Sequence, residues 1–157
     1  MKITLLTVGK TTFPFVKEGC DVFIKRIKHY TTFESIEIPE LKNTSSLSKE
    51  QIKDKEGELI LKHIKNTDKV ILLDERGKCY SSIEWSKAIE KETTSGTKSL
   101  VFIVGGAYGF SKEIYDRADS KLSLSTMTFS HQIIRLFFIE QLYRAFTIIK
   151  GEPYHNE

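Results

Sequence analysis

The sequence predicts an α/β fold in which a mostly parallel sheet is covered by helices on both faces. Three observations carry that expectation. Short apolar runs rich in β-branched residues recur at 3–8, 33–38, 70–73, 100–104 and 122–124, each of a length suited to a buried strand. Helical patterns stand between them, and parallel neighbours need such crossovers, which lay helices over the sheet. Finally, no internal repeat or long linker divides the 157 residues, of which 39% are hydrophobic and 29% charged, so one domain with one core is expected.

The elements follow in order. The first strand, 3–8, is cut off at Gly9-Lys10, which makes the apolar start too short for a signal segment or a membrane span; a cytoplasmic protein is expected. The first helix covers 14–27, with Pro14 suited to an opening turn and Phe15, Phe23, Ile24 and Ile27 at helical spacing. After strand 33–38 comes a polar loop, 41–47. A second helix then runs near 48–64, opened by Ser48 and Gln51 at capping-box spacing, and its charged stretch 49–58 reads as a solvated face. A third helix starts near Ser81, where Ser81 and Glu84 repeat the capping-box spacing ahead of Trp85, Ala88 and Ile89, and a short fourth follows Ser111. The fifth and longest covers 131–150. Its apolar residues, from Ile133 and Phe137 through Leu142 to Ile149, spread over a wider arc than one sheet contact needs. Either the rest of the domain or a second subunit covers the surplus, and we take the homodimer as the expectation.

Composition excludes more than it selects. Cys20 and Cys79 lack CxxC spacing and nearby histidines, so they are read as reduced thiols and no metal site is expected. A net charge of +3 permits an acidic partner without demanding one. The basic run Lys25-Arg26-Ile27-Lys28-His29-Tyr30 suits a solvated helix end, and His29 and His63 receive no role.

Several motifs invite a chemical reading. Gly9-Lys10-Thr11 resembles the end of a P-loop, which would make the chain a nucleotide hydrolase, but Thr4 stands where the upstream glycine belongs. Gly9 is a turn glycine on this reading. The run Val104-Gly105-Gly106-Ala107-Tyr108-Gly109 is a strand opening into a glycine loop, with Ser111 placed to cap a helix. Its GGxxG spacing is not a dinucleotide fingerprint. The glycines suit either a tight connection or the close approach of a ligand, and the carboxyl end of a parallel strand is where such ligands bind. Downstream, Lys121 to His131 is hydroxyl-rich and suits a neutral pocket wall, while Ser130 equally suits a helix cap. Arg135, Glu140 and Arg144 are the charges on the last helix, with Glu140 and Arg144 in the favourable i,i+4 order. Gly151 and Pro153 end that helix and leave the tail Tyr154-His155-Asn156-Glu157, which either frays or folds over a site and stacks on a base.

Taken together, Met1-Lys2-Ile3 with Val8-Gly9-Lys10, Ile36-Glu37-Ile38-Pro39, Asp54-Lys55-Glu56-Gly57, Val104-Gly105-Gly106 with Gly109, Leu124-Ser125 with Met127-Thr128, Leu142-Tyr143-Arg144-Ala145 and Pro153-Tyr154-His155 resemble one family end to end. It is the ribosomal RNA large-subunit methyltransferase H family. The resemblance implies a SPOUT-type fold with a C-terminal trefoil knot, a rare exception to the rule that chains do not thread loops, and activity as a homodimer. It implies transfer of the methyl group of S-adenosylmethionine to N3 of pseudouridine 1915, in the helix 69 loop of 23S rRNA, within assembled ribosomes. The cofactor would lie among Leu73, Gly105, Gly106, Leu124, Ser125, Thr126, Met127, Thr128 and Phe129. Arg144 would stabilise negative charge on the uracil ring, His155 would accept or position the N3 proton, and Tyr154 would offer a stacking surface. Many relatives carry a basic residue after the tail histidine where this chain has Asn156, so no phosphate contact is assigned there. A non-catalytic ribosome- or RNA-binding protein on the same fold is the alternative.

Overall fold

A computed structural model describes residues 1–156; Glu157, the last residue of the expected tail, lies outside the described residues. Five strands form one parallel sheet in the order β2-β1-β4-β3-β5. They are β1 (Lys2–Val8), β2 (Thr32–Ile38), β3 (Lys69–Cys79), β4 (Ser99–Val104) and β5 (Ser120–Ser123), interleaved with α1 (Pro14–Ile27), α2 (Lys49–Leu61), α3 (Ser82–Thr94), α4 (Lys112–Arg117) and α5 (Ile133–Ile149).

The two-residue period of the strands divides the core into two halves. Leu5, Phe102, Leu73 and Leu100 face α1, α3 and α5, where they meet Val16, Trp85, Ile89, Phe138 and Leu142. Their neighbours Leu6, Ile103, Leu72 and Val101 face α2 and α4 and meet Ile60, Phe110 and Ile114. The near-continuous apolar runs in the sequence are thus strands buried on both sides, as parallel sheets require.

Local signals place the helix starts. Ser48 with Gln51 and Ser81 with Glu84 both form reciprocal capping boxes, and the Ser111 hydroxyl accepts from the Ile114 backbone N–H. Gly9 takes φ +85 and makes the turn after β1. Ser130 accepts from the Ile133 N–H at 3.1 Å, one turn ahead of regular helix. Several expected boundaries move: α2 ends at Leu61 rather than near 64, and α5 covers Ile133–Ile149 rather than 131–150. The fifth strand ends at Ser123, not Leu124. The third does not stop at Leu73: it bulges outward over Asp74–Gly77, and both Leu73 and Lys78 pair with Leu122. Gly77 allows the return, because a Cβ there would lie 2.6 Å from the backbone of Leu122.

The chain between β5 and α5 determines where the site forms. It leaves the sheet at the β5 edge and crosses the carboxyl ends of β3 and β4 to reach the end of β1. There Gln132 accepts from the Thr12 N–H and donates to the Lys10 carbonyl, each at 2.9 Å. Arg135, whose side chain is 2% exposed, donates to the carbonyls of Val8 and Gly9, also at 2.9 Å. This crossing is the segment that the expected knot would thread.

Candidate active site

A cleft of about 540 Å³ opens beyond the carboxyl ends of β3, β4 and β5. The connections leaving β3 and β4 run to helices on opposite faces of the sheet, and that divergence leaves a crevice between them. Three segments line it: the β3 bulge from Leu73 to Arg76, the glycine loop from Val104 to Phe110, and the crossing chain from Leu122 onward. Of the residues expected to bind cofactor, Leu73, Gly105, Gly106, Leu124, Ser125, Met127, Thr128 and Phe129 lie on its wall. Thr126 does not. It sits at the tip of a turn in which the Ser125 hydroxyl accepts from the Met127 N–H.

Side chains of the protein stand directly behind both leading glycines of the loop. A Cβ on Gly106 would lie 2.6 Å from Glu56 Oε2, and one on Gly105 would lie 3.1 Å from the Phe110 ring. The space behind Gly106 is thus taken by the carboxylate end of Glu56, and that behind Gly105 by the Phe110 ring. The stretch 49–58 is mostly exposed, as expected, but within it Glu56 is half-buried and Gly57 fully buried against the cap of α4.

One polar cluster on the wall carried no signal in the sequence. The Tyr115 hydroxyl and the Arg76 backbone N–H both donate to Asp74, and Arg76 Nη2 donates to the Tyr115 oxygen at 2.7 Å. Burial works to raise the Asp74 carboxyl, but these donors and the Arg76 charge outweigh it and hold it below the usual carboxylate range. The cleft thus pairs small, hydroxyl and apolar walls with one firmly ionised carboxylate. That composition fits an adenosine-bearing cation such as S-adenosylmethionine.

The expected catalytic residues gather elsewhere. Arg144 donates to Glu140 at 2.6 Å, its Nη1 lies 3.2 Å from His155 Nδ1, and its guanidinium stands 4.8 Å from the centre of the Tyr154 ring. Tyr154 also donates to Glu140, at 2.9 Å. Burial first, and then that bond, push the Tyr154 phenol up, so it stays a donor. The tail is held rather than frayed: the Glu152 N–H reaches the Thr147 carbonyl, and Tyr154 meets Tyr143 edge-on at 4.8 Å. Glu140, at first sight a surface ion-pair partner, is the hub of the group. None of Arg144, Tyr154 or His155 lines the cleft of its own chain.

Residues 1–155 match the family described as predicted SPOUT methyltransferase. The chain is 54% identical to ribosomal RNA large subunit methyltransferase H of Christiangramia forsetii over 156 residues, 99% of each chain. It is 52% identical to the proteins of the same name from Flavobacterium johnsoniae and Bacteroides fragilis, over 100% of both chains in each case. The chain belongs to this methyltransferase family. A solved structure described as a probable methylase family protein from Haemophilus influenzae aligns with a TM-score of 0.50 at 9% identity, covering 95% of this chain and 66% of that one, and supports the fold alone. The family resemblance read from the sequence holds over the whole chain. No helix among the described residues is long and apolar enough to cross a membrane.

Proposed function

We propose that this methyltransferase transfers the methyl group of S-adenosylmethionine to N3 of a pseudouridine in the helix 69 loop of large-subunit rRNA. In this reading it acts on assembled ribosomes in the cytoplasm, as a one-domain homodimer whose C-terminal segment is knotted. The observation that carries the reading is the cleft at the strand ends, built by three loops that hold eight of the nine residues expected to bind the donor.

S-adenosylmethionine, when bound, supplies an electrophilic methyl group on a good leaving group, so the protein's work is alignment and proton management. Leu73, Leu124 and Phe129 give apolar walls, and the Gly105–Gly106 backbone gives a flat polar edge. Arg144 stabilises the charge that develops on the uracil ring as N3 loses its proton. His155 receives or positions that proton, and Tyr154 stacks on the base. The contacts of Arg144 with Glu140 and Tyr154 hold the guanidinium in one orientation before substrate arrives.

The homodimer is supported by α5. A second hollow, of about 580 Å³, is lined by Phe23, Tyr80, Trp85, Leu136 and Phe137, and Phe137 is 41% exposed. It shares Leu122, Leu124 and Phe129 with the donor cleft, so a subunit seated there would stand against the same wall. A surface this apolar on a monomer normally marks an interface.

Calorimetry with S-adenosylmethionine, followed by methyl transfer onto purified ribosomes lacking the modification, tests the reading. Saturable donor binding and transfer to N3 are expected, with transfer lost in His155→Ala. A folded protein that binds no donor overturns it, and one that binds ribosomes without transferring methyl is the non-catalytic alternative. A fully active monomer in sedimentation at micromolar concentration removes the dimer.

A further inference from the structure

The motif Asp54-Lys55-Glu56-Gly57 has no part in the chemistry above, yet its helix is seated on the donor loop at three places. Lys49 Nζ lies 5.4 Å from the centre of the Tyr108 ring at the loop's tip. Glu56 places both carboxylate oxygens, Oε2 at 2.6 Å and Oε1 at 2.8 Å, where a Gly106 side chain would begin. Gly57 brings the α2 backbone so near the loop's exit that a Cβ would stand 2.6 Å from the Ser111 hydroxyl, which caps α4. Position 49 lies two turns before the neighbours 56 and 57 on one side of α2, the side that Ile60 continues into the core with Ile103, Phe110 and Ile114.

Glu56 is the unusual member of this face. Its Oε1 is buried with no hydrogen-bond partner among the described residues. Burial, and then the nearby Glu40 carboxylate, push its carboxyl up. A leucine would fill the same space without the desolvation cost of a polar group. A carboxyl there does what a leucine cannot: it offers an acceptor for a loop N–H or, protonated, a donor for a loop carbonyl.

We propose that α2 clamps the donor loop and that Glu56 is a positioning residue, its carboxyl behind Gly106 fixing the Gly105–Gly106 turn in the form that receives the methyl donor. The inference rests on reading the cleft as the donor site. The loop's shape is then set from behind, by Glu56, before the donor arrives.

Amide hydrogen exchange on the protein without donor, together with calorimetry and steady-state kinetics, tests this with Glu56→Ala and Glu56→Gln. In Glu56→Ala the amides of 105–111 should exchange about tenfold faster while those of β1 and β4 keep their protection. The donor Kd and KM should weaken about tenfold, with kcat at saturating donor within about twofold of wild type. Glu56→Gln, which keeps a hydrogen-bonding head of the same size, should restore most of both. Wild-type exchange and donor affinity in Glu56→Ala overturn the proposal. So does an equal defect in both variants with loss of protection throughout the sheet, because that describes a packing residue only. If wild-type protein binds no donor, the functional reading falls, while the exchange comparison still decides whether Glu56 holds the loop.

Discussion

Arg135→Met removes the anchor that brings the crossing chain to the end of β1 while keeping the length and apolar character of the stem. The wild-type guanidinium donates to the carbonyls of Val8, Gly9 and His131 and to the Thr11 hydroxyl, each at 2.9 Å, and it lies 3.4 Å from Glu37. Burial pushes this guanidinium's pKa down, and Glu37 opposes that shift. Methionine leaves the Val8 and Gly9 carbonyls, both in buried bonds, without their donor. An orphaned buried acceptor costs about 1–3 kcal/mol, so the two carbonyls together cost roughly 2–6 kcal/mol. We therefore expect Arg135→Met to lose about 2–6 kcal/mol in urea unfolding at fixed protein concentration, with little change in m. Arg135→Lys should fall between, since an ammonium keeps the charge but not the fork. Donor affinity should fall as well, because the wall from Ser125 to Ser130 runs directly into this anchor. A loss below about 1 kcal/mol, inside the range of ordinary surface changes, would refute the reasoning.

Three further outcomes are expected. Gly77→Ala forces a Cβ to within 2.6 Å of the Leu122 backbone, so thermal unfolding should show a loss of about 1–3 kcal/mol from overpacking where β3 rejoins β5; an unchanged Tm would show that the bulge yields freely. Cys79 is exposed, whereas Cys20 is buried with its thiol pushed up to about 11, by burial first, so iodoacetamide at pH 8 should modify Cys79 and reach Cys20 only on unfolding, as mass spectrometry of the peptides will report. Arg144→Ala should slow transfer about 100-fold or more with donor affinity kept, and Glu140→Ala should add almost nothing in that background, since Glu140 acts by holding Arg144. Additive losses in that double-mutant cycle would give Glu140 a role of its own.

What the sequence revealed was what local chemistry specifies. β1, β4 and the first half of β3 are legible because each is apolar on both faces, and two helix starts because Ser48 with Gln51 and Ser81 with Glu84 sit at cap spacing. The continuation of β3 past Leu73 was not legible: Asp74-Glu75-Arg76-Gly77-Lys78 has no apolar pattern, and it is held by pairing to β5, more than forty residues on. The same holds for α2. Lys49, Glu56 and Gly57 look like a solvated face because their partners, Tyr108, Gly106 and Ser111, are some fifty residues away. The glycine loop pointed to the site, but what stands behind Gly106 and Gly105, Glu56 and Phe110, was not legible.

The separation of the cleft from the Arg144 group has an electrostatic logic. Apart from His131, the ionisable groups of acidic or basic residues on the cleft wall are Asp74, Glu75 and Arg76, a balance of −1, which suits a positively charged donor. The guanidinium of Arg144 instead stands with Glu140, Tyr154 and His155 on α5 and the tail. Were it held against the bound sulfonium before substrate arrived, two like charges about 6 Å apart at an effective dielectric of about 20 would repel by roughly 3 kcal/mol, more than a hundredfold in donor affinity. Balanced by Glu140, it exerts little of that repulsion at rest. In the proposed reaction, a uracil ring that loses its N3 proton would be an anion between the two cations, attracted by both. The arrangement would then favour the transition state over the donor complex, which is the condition for raising kcat rather than merely tightening binding.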